Sequence, residues 1–184
     1  MFADEGLLAA SFFFSKSVAG LNTEKHLMAT LAYQISISIP ETRRYIAQAV
    51  ESDNSVFSGS LEAQLQTLIV NPLLQAYSTL GDKRPRKKWA RLVIIDGLDE
   101  CQNANVQCYI VRILSTALIH RKLPLFILVA SRPETPIRDS FNSYDLREMI
   151  YTIVLDEAYM SDAISVVQVR ANPTISSTSY LHSP

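Results

Sequence analysis

The sequence predicts an α/β layered domain with a mainly parallel sheet, and three observations carry that reading. Two continuous aliphatic runs, Leu92 to Ile95 and Leu125 to Ala130, have the length and branched composition of buried strands. Segments with apolar residues at helical spacing lie between the strand-like runs. The first aliphatic run breaks off in three carboxylates, Asp96, Asp99 and Glu100, within five positions. Open parallel sheets bind ligands outside the carboxyl ends of their strands, so these acids stand where a site would be built.

Along the chain, Leu8 to Phe14 reads as an apolar, aromatic-rich strand. The stretch Glu24 to Ile39 carries Leu27, Leu31 and Ile35 at helical spacing and stops at Pro40, which cannot continue a helix. A second helix covers about 41 to 50, and Asp53 to Gly59 is a polar loop. From about Ser60 to Leu80 a long helical region contains Pro72, which forces a break or kink. Asn71 is placed to cap a new start carrying Leu73, Leu74, Tyr77 and Leu80, with Gly81 as the stop. Arg91 to Asp96 follows as a strand expected to be buried on both faces.

Val106, Ile110, Ile113, Leu114, Ala117 and Leu118 mark the next helix, and a last short strand covers about Tyr151 to Leu155. From Arg170 to Pro184 the composition turns to Ser, Thr, Pro and Asn without apolar periodicity. Such a segment buries too little surface to offset its ordering entropy. The domain is therefore expected over residues 1–160, with a poorly ordered C-terminal tail over 161–184.

Composition narrows the partners. Seventeen Lys plus Arg against eighteen Asp plus Glu leave a net charge of −1, so no global field draws nucleic acid or an anionic membrane. The apolar stretch Gly6 to Phe14 is far shorter than the roughly 20 residues of a membrane span, and Asp4 and Glu5 replace the positive charge of a signal peptide. Cys101 and Cys108 fit neither a zinc spacing nor a C-x-x-C redox pair, and read as reduced thiols of a cytoplasmic protein. His26, His120 and His182 are scattered singly and read as surface or helix-end residues.

Three features keep more than one reading. The basic run Lys83 to Arg91, with Trp89 available for stacking, suits a nucleic-acid or nuclear-localisation patch, but the favoured reading is a solvated loop feeding the buried strand, where cations discourage edge pairing. Arg132 is either a cation aimed at a ligand or a surface residue paired with Glu134 or Asp139. Asp96 taken alone is an ordinary strand-ending turn residue, with Gly97 supplying the turn.

Taken together, Leu7 to Ser15, Leu31-Ala32-Tyr33-Gln34, Asn71-Pro72-Leu73-Leu74, Val93 to Cys101 and Val129 to Glu134 resemble the NACHT-type NTPase domains of fungal STAND proteins, a grouping similar to the nephrocystin-3-like N-terminal domain. The resemblance runs from about Gly6 to Asp156. It implies that Asp96 is the Walker B carboxylate that holds Mg²⁺, directly or through water. It places Asp99 and Glu100 as the catalytic acids that complete the metal shell or polarise the attacking water. Arg132 falls at the sensor position that reads the γ-phosphate of ATP or GTP.

A P-loop needs G-x-x-x-x-G-K-[ST], because backbone N–H groups, a Lys and a hydroxyl must all reach the phosphates and their Mg²⁺. Glycines occur only at 6, 20, 59, 81 and 97, and no Gly-Lys pair exists in the 184 residues. The resemblance thus implies a partial P-loop NTPase three-layer fold with the first strand and the P-loop missing. In that family's strand order the missing strand lies between the strand ending at Ser131 and the one near Tyr151 to Leu155. Three contiguous strands and a weakly placed fourth are expected, with two unpaired edges left for water, another chain or a rearranged segment.

The function expected is that of a signalling-NTPase fragment that keeps Walker B and sensor-like segments but does not hydrolyse nucleotide alone. The alternative is a nucleotide-independent module that pairs with a full-length STAND protein through exposed strand edges. Neither a membrane nor a nucleic-acid partner is expected.

Overall fold

The computed structural model describes residues 6–79, 90–121, 123–142, 150–155 and 164–170. Strand β1 (Leu8–Phe13) is followed by a 3-10 turn and helix α1 (Leu27–Ser38), which ends at Ile39 because Pro40 opens the next turn. Helix α2 (Arg43–Ser52) leads to a 3-10 turn over Asn54–Ser58 and then to α3 (Leu61–Leu65), whose start is capped by Ser60 Oγ accepting from the Ala63 N–H at 3.2 Å.

The expected break at Pro72 takes another form. A π turn over Gln66–Val70 joins α3 directly to α4 (Asn71–Thr79), and Asn71 keeps helical dihedrals. Asn71 therefore does not cap a new helix; its Oδ1 accepts from Gln66 Nε2 at 2.6 Å. Proline has no N–H and its ring crowds the carbonyl four residues earlier, and a widened turn relieves that crowding without ending the helix. The stop expected at Gly81 and the basic run up to Trp89 lie outside the described residues.

The second half adds β2 (Leu92–Asp96), α5 (Ala104–Arg121), β3 (Phe126–Ser131), α6 (Thr135–Phe141), β4 (Ile150–Leu155) and β5 (Ile164–Arg170). The sheet order is β1-β2-β3-β5-β4. β1, β2 and β3 are parallel, with Phe12 opposite Ile95 and Ile95 opposite Val129, and the β1–β2 register shifts by one residue between Leu8 and Ala10. The α/β class and the three contiguous parallel strands are as the sequence predicts.

Beyond β3 the sheet departs from the expectation. β5 pairs antiparallel with both β3 and β4, so the sheet as a whole is mixed. β5 falls inside the segment read from sequence as tail, and it occupies the place next to β3 that the resemblance leaves open. Of the three ways to satisfy the two edges, the fold uses a segment of its own chain. Direction follows from chain length: residues 156–163 suffice for an antiparallel return but not for a crossover of a dozen or more residues. The rest of the tail, 171–184, lies outside the described residues.

The core sits on one face of the parallel strands. Val93, Ile95, Ile127 and Val129 are buried, and α1, α3 and α5 meet over them around a void of about 20 Å³ that Leu31, Leu65, Val93, Leu114 and Ile127 help to line. The opposite side of β2, Leu92 and Ile94, is half-buried, so the strand is fully covered on one face and partly on the other. This leaves the carboxyl ends of three parallel strands side by side, at Phe13, Asp96 and Ser131.

Candidate functional site

Those three strand ends are laced together by the acidic turn that follows β2. The Phe14 N–H donates to the Asp96 carbonyl at 2.9 Å, continuing the β1–β2 ladder by one bond. Gly97 then takes a left-handed conformation with φ +67°, and a Cβ there would lie 3.1 Å from the Phe14 carbonyl oxygen. Only glycine meets both conditions without strain. The chain turns through a short 3-10 segment, Leu98–Glu100, which delivers its two carboxylates in different directions.

Asp99 points inward. Its side chain is 5% exposed; Oδ1 accepts from the Arg132 backbone N–H at 3.0 Å and from Ser131 Oγ at 3.3 Å, while Oδ2 stands 4.0 Å from Arg132 Nε. The guanidinium of Arg132 is 57% exposed, so the charge pair is solvent-screened and the backbone bond is the firmer tie. Glu100 turns the other way, and its Oε2 accepts from the Lys16 N–H at 2.9 Å, just past β1. Asp96 remains exposed at the tip of β2.

The predicted site residues therefore divide. Asp99 and Arg132 are brought together, Glu100 is engaged with the loop after β1, and Asp96 faces solvent. Sequence reading missed Gln107, a buried residue of α5 whose Nε2 donates to the Cys101 carbonyl at 2.6 Å and the Asp99 carbonyl at 3.3 Å. Its Oε1 is buried without a hydrogen-bond partner. A glutamine on an amphipathic helix carries no periodic signal, so only the fold reveals it. Ser131 was visible as part of the strand-end motif but not as a partner of Asp99.

The resemblance implies Mg²⁺ and a nucleotide, and the donors present meet only part of that need. Mg²⁺ favours one or two carboxylates with waters and phosphate oxygens, and exposed Asp96 suits one such position. Oδ1 of Asp99 already accepts from two protein donors and Oδ2 faces Arg132 Nε, and among the described residues no group of three or more His, Cys, Asp or Glu is arranged to hold a metal ion. The phosphate side would need a Gly-Lys motif that the 184 residues lack. A complete metal–nucleotide site does not fit these residues.

Other concavities lie elsewhere. A surface groove of about 460 Å³ between α2 and α4 is lined by Glu41, Arg43, Arg44, Ala47 and Thr79 among others, and shares no lining residue with the acidic turn. Its mixed charges single out no ligand. Cys101, just beyond the turn, is buried, and burial raises its thiol pKa; Cys108 is half-buried, and both thiols are free.

A family model described as nephrocystin 3, N-terminal, matches residues 2–132, well over half of the 184. The chain belongs to this family. The match takes in β1, the acidic turn and β3 through Arg132, so the whole lacing of strand ends falls within the nephrocystin 3 N-terminal region of similarity. No curated protein and no solved structure matches the chain. Among the described residues of this nephrocystin 3 N-terminal family member, no helix is long and apolar enough to cross a membrane.

Proposed function

We propose that this domain is one wall of the nucleotide site of a NACHT-type signalling NTPase of the STAND class, and that the 184 residues do not hydrolyse nucleotide by themselves. The observation that supports it is the Asp99 bridge: a carboxylate of the acidic turn after β2 holds the backbone of Arg132 at the end of β3. That bridge keeps the carboxylate end of one parallel strand and the cation after its neighbour in fixed relation. In the proposed site exposed Asp96 is the residue that meets Mg²⁺, and the guanidinium of Arg132, beside Asp99, is the cation that faces a phosphate.

Phosphoryl transfer depends almost wholly on positioning and electrostatic stabilisation, so a wall without phosphate donors yields no turnover. The test measures ATP and GTP hydrolysis by the purified chain with Mg²⁺, beside Asp96→Ala. Background rates in both are expected. Turnover by the parent chain that Asp96→Ala abolishes would overturn the proposal.

A further inference from the structure

Two buried glutamines repeat one arrangement on two helices. Gln64 of α3 is 5% exposed, and its Nε2 donates to the Gly59 carbonyl at 2.9 Å and the Phe57 carbonyl at 3.3 Å. Gln107 of α5 is 3% exposed, and its Nε2 donates to the Cys101 and Asp99 carbonyls. Only the NH2 side of a carboxamide can satisfy two carbonyls, so the partners fix the orientation of each. The difference lies in what is held. Gln64 braces the exposed turn before α3, whereas Gln107 braces the acidic turn.

Asp99 is therefore held twice, by different groups. Its carbonyl takes the Gln107 amide, and its carboxylate takes the Arg132 N–H at 3.0 Å. The Asp99 and Cys101 carbonyls have no other donor among the described residues, and both residues are buried. The bonds within the 3-10 segment use other groups: the Glu100 N–H donates to Gly97 and the Cys101 N–H to Leu98. They shape the turn without satisfying its two inward carbonyls.

A buried carbonyl left without a donor costs about what one bond to a charged group returns. A turn deprived of Gln107 thus gains by swinging two carbonyls to water and loses chiefly the single N–H at Asp99. The Ser131 hydroxyl keeps the Arg132 carbonyl as its second acceptor, at 3.0 Å.

We infer that Gln107 is the positioning residue of the Asp99–Arg132 bridge: its amide nitrogen fixes the main chain of the acidic turn, so that the Asp99 carboxylate is aimed at the end of β3. It acts through Asp99 rather than on a ligand. The inference deepens the reading of the bridge proposed above and gives α5 a part in it. Its test reads the bridge without nucleotide, so it and the hydrolysis measurement can fail separately.

The full chain, Gln107→Ala, Gln107→Met and Gln64→Met are compared by urea unfolding and by amide hydrogen exchange at Arg132, read as a ratio to Leu31 and Ile35 in the middle of α1. Gln107→Met keeps the side-chain length without the donor, so it carries the test if Gln107→Ala unfolds. Gln64→Met removes the same pair of bonds at another turn and controls for a general loss of stability. Expected in the Gln107 variants is Arg132 exchange roughly tenfold faster relative to α1, from loss of one charge-assisted bond. In Gln64→Met the ratio should stay that of the parent. A parent-like ratio in the folded Gln107 variants overturns the positioning role. An equal rise in Gln64→Met overturns it as well, because the loss of protection is then general and not directed through Asp99.

Discussion

The backbone N–H of Arg132 donates to Oδ1 of Asp99 at 3.0 Å, across 33 residues of sequence, and so fastens the end of β3 to the turn that ends β2. The bond is charge-assisted and the carboxylate is buried, which makes it a stronger tie than a surface ion pair. Removing it should be felt in stability before it is felt in any chemistry. Asp99→Ala removes the acceptor of the Arg132 N–H, while the Ser131 hydroxyl keeps the Arg132 carbonyl at 3.0 Å, and is expected to cost about 2 kcal/mol in urea unfolding. Asp99→Asn keeps an acceptor oxygen and should cost less. Equal midpoints for parent and Asp99→Ala would refute the tie.

Gly97 lies between the two acidic positions with φ +67°, and an added Cβ would sit 3.1 Å from the Phe14 carbonyl. Gly97→Ala should lower stability by about 1–2 kcal/mol from the left-handed conformation alone. Asn tolerates that region better, so Gly97→Asn is expected to fall between the two. Thermal midpoints of the three chains decide it, and a Gly97→Ala midpoint at or above that of the parent is the contrary result.

The two thiols should react at different rates. Cys101 is buried and its pKa is raised, first of all by that burial, whereas Cys108 is half-buried. Because the thiolate is the nucleophile, one cysteine is expected to alkylate quickly at neutral pH and the other only on unfolding. Peptide mapping after a short pulse of iodoacetamide should find the label on Cys108. The raised pKa also gives a sign for pH: Cys101 favours the folded state below the ordinary thiol value of about 8.5, and that contribution fades as pH rises through the higher folded value.

Asp53 gives the opposite sign at the surface. The Ser55 hydroxyl and the Ser55 N–H both donate to its Oδ1, at 2.6 Å and 2.8 Å, and together they lower its pKa. The cap on the turn Asn54–Ser58 should be intact above the ordinary Asp value of about 3.9 and be lost as pH falls through the lower folded value. The Ser55 amide shift followed against pH reports the transition. In Asp53→Asn that titration should vanish while the cap persists.

Much of the molecule was legible from sequence because the signals were local. The periodicity of Leu27, Leu31 and Ile35 marked α1, and the aliphatic runs marked β2 and β3 close to their observed limits. At Pro72 the local rule was incomplete: proline forbids one hydrogen bond, and a π turn absorbs that loss as well as a break does. Strand β5 carries no comparable signal although Ile164, Val166, Val167 and Val169 are branched, because a short isolated run gives no evidence of a partner.

The sequence by itself determined the alternation of strands and helices, the parallel β1-β2-β3 core, the place of the acidic turn and the family. These follow from hydrophobic periodicity and chain punctuation, which are written residue by residue. Only the tertiary structure decided that Asp99 turns inward to Arg132 while Asp96 stays in solvent, that β5 lies between β3 and β4, and that the Gln34 carboxamide bonds both backbone groups of Ser11. Each of those is a choice of partner across many residues of chain. A carboxylate, a carboxamide or a strand edge must be satisfied by something, and which group satisfies it depends on what folding brings within hydrogen-bond reach.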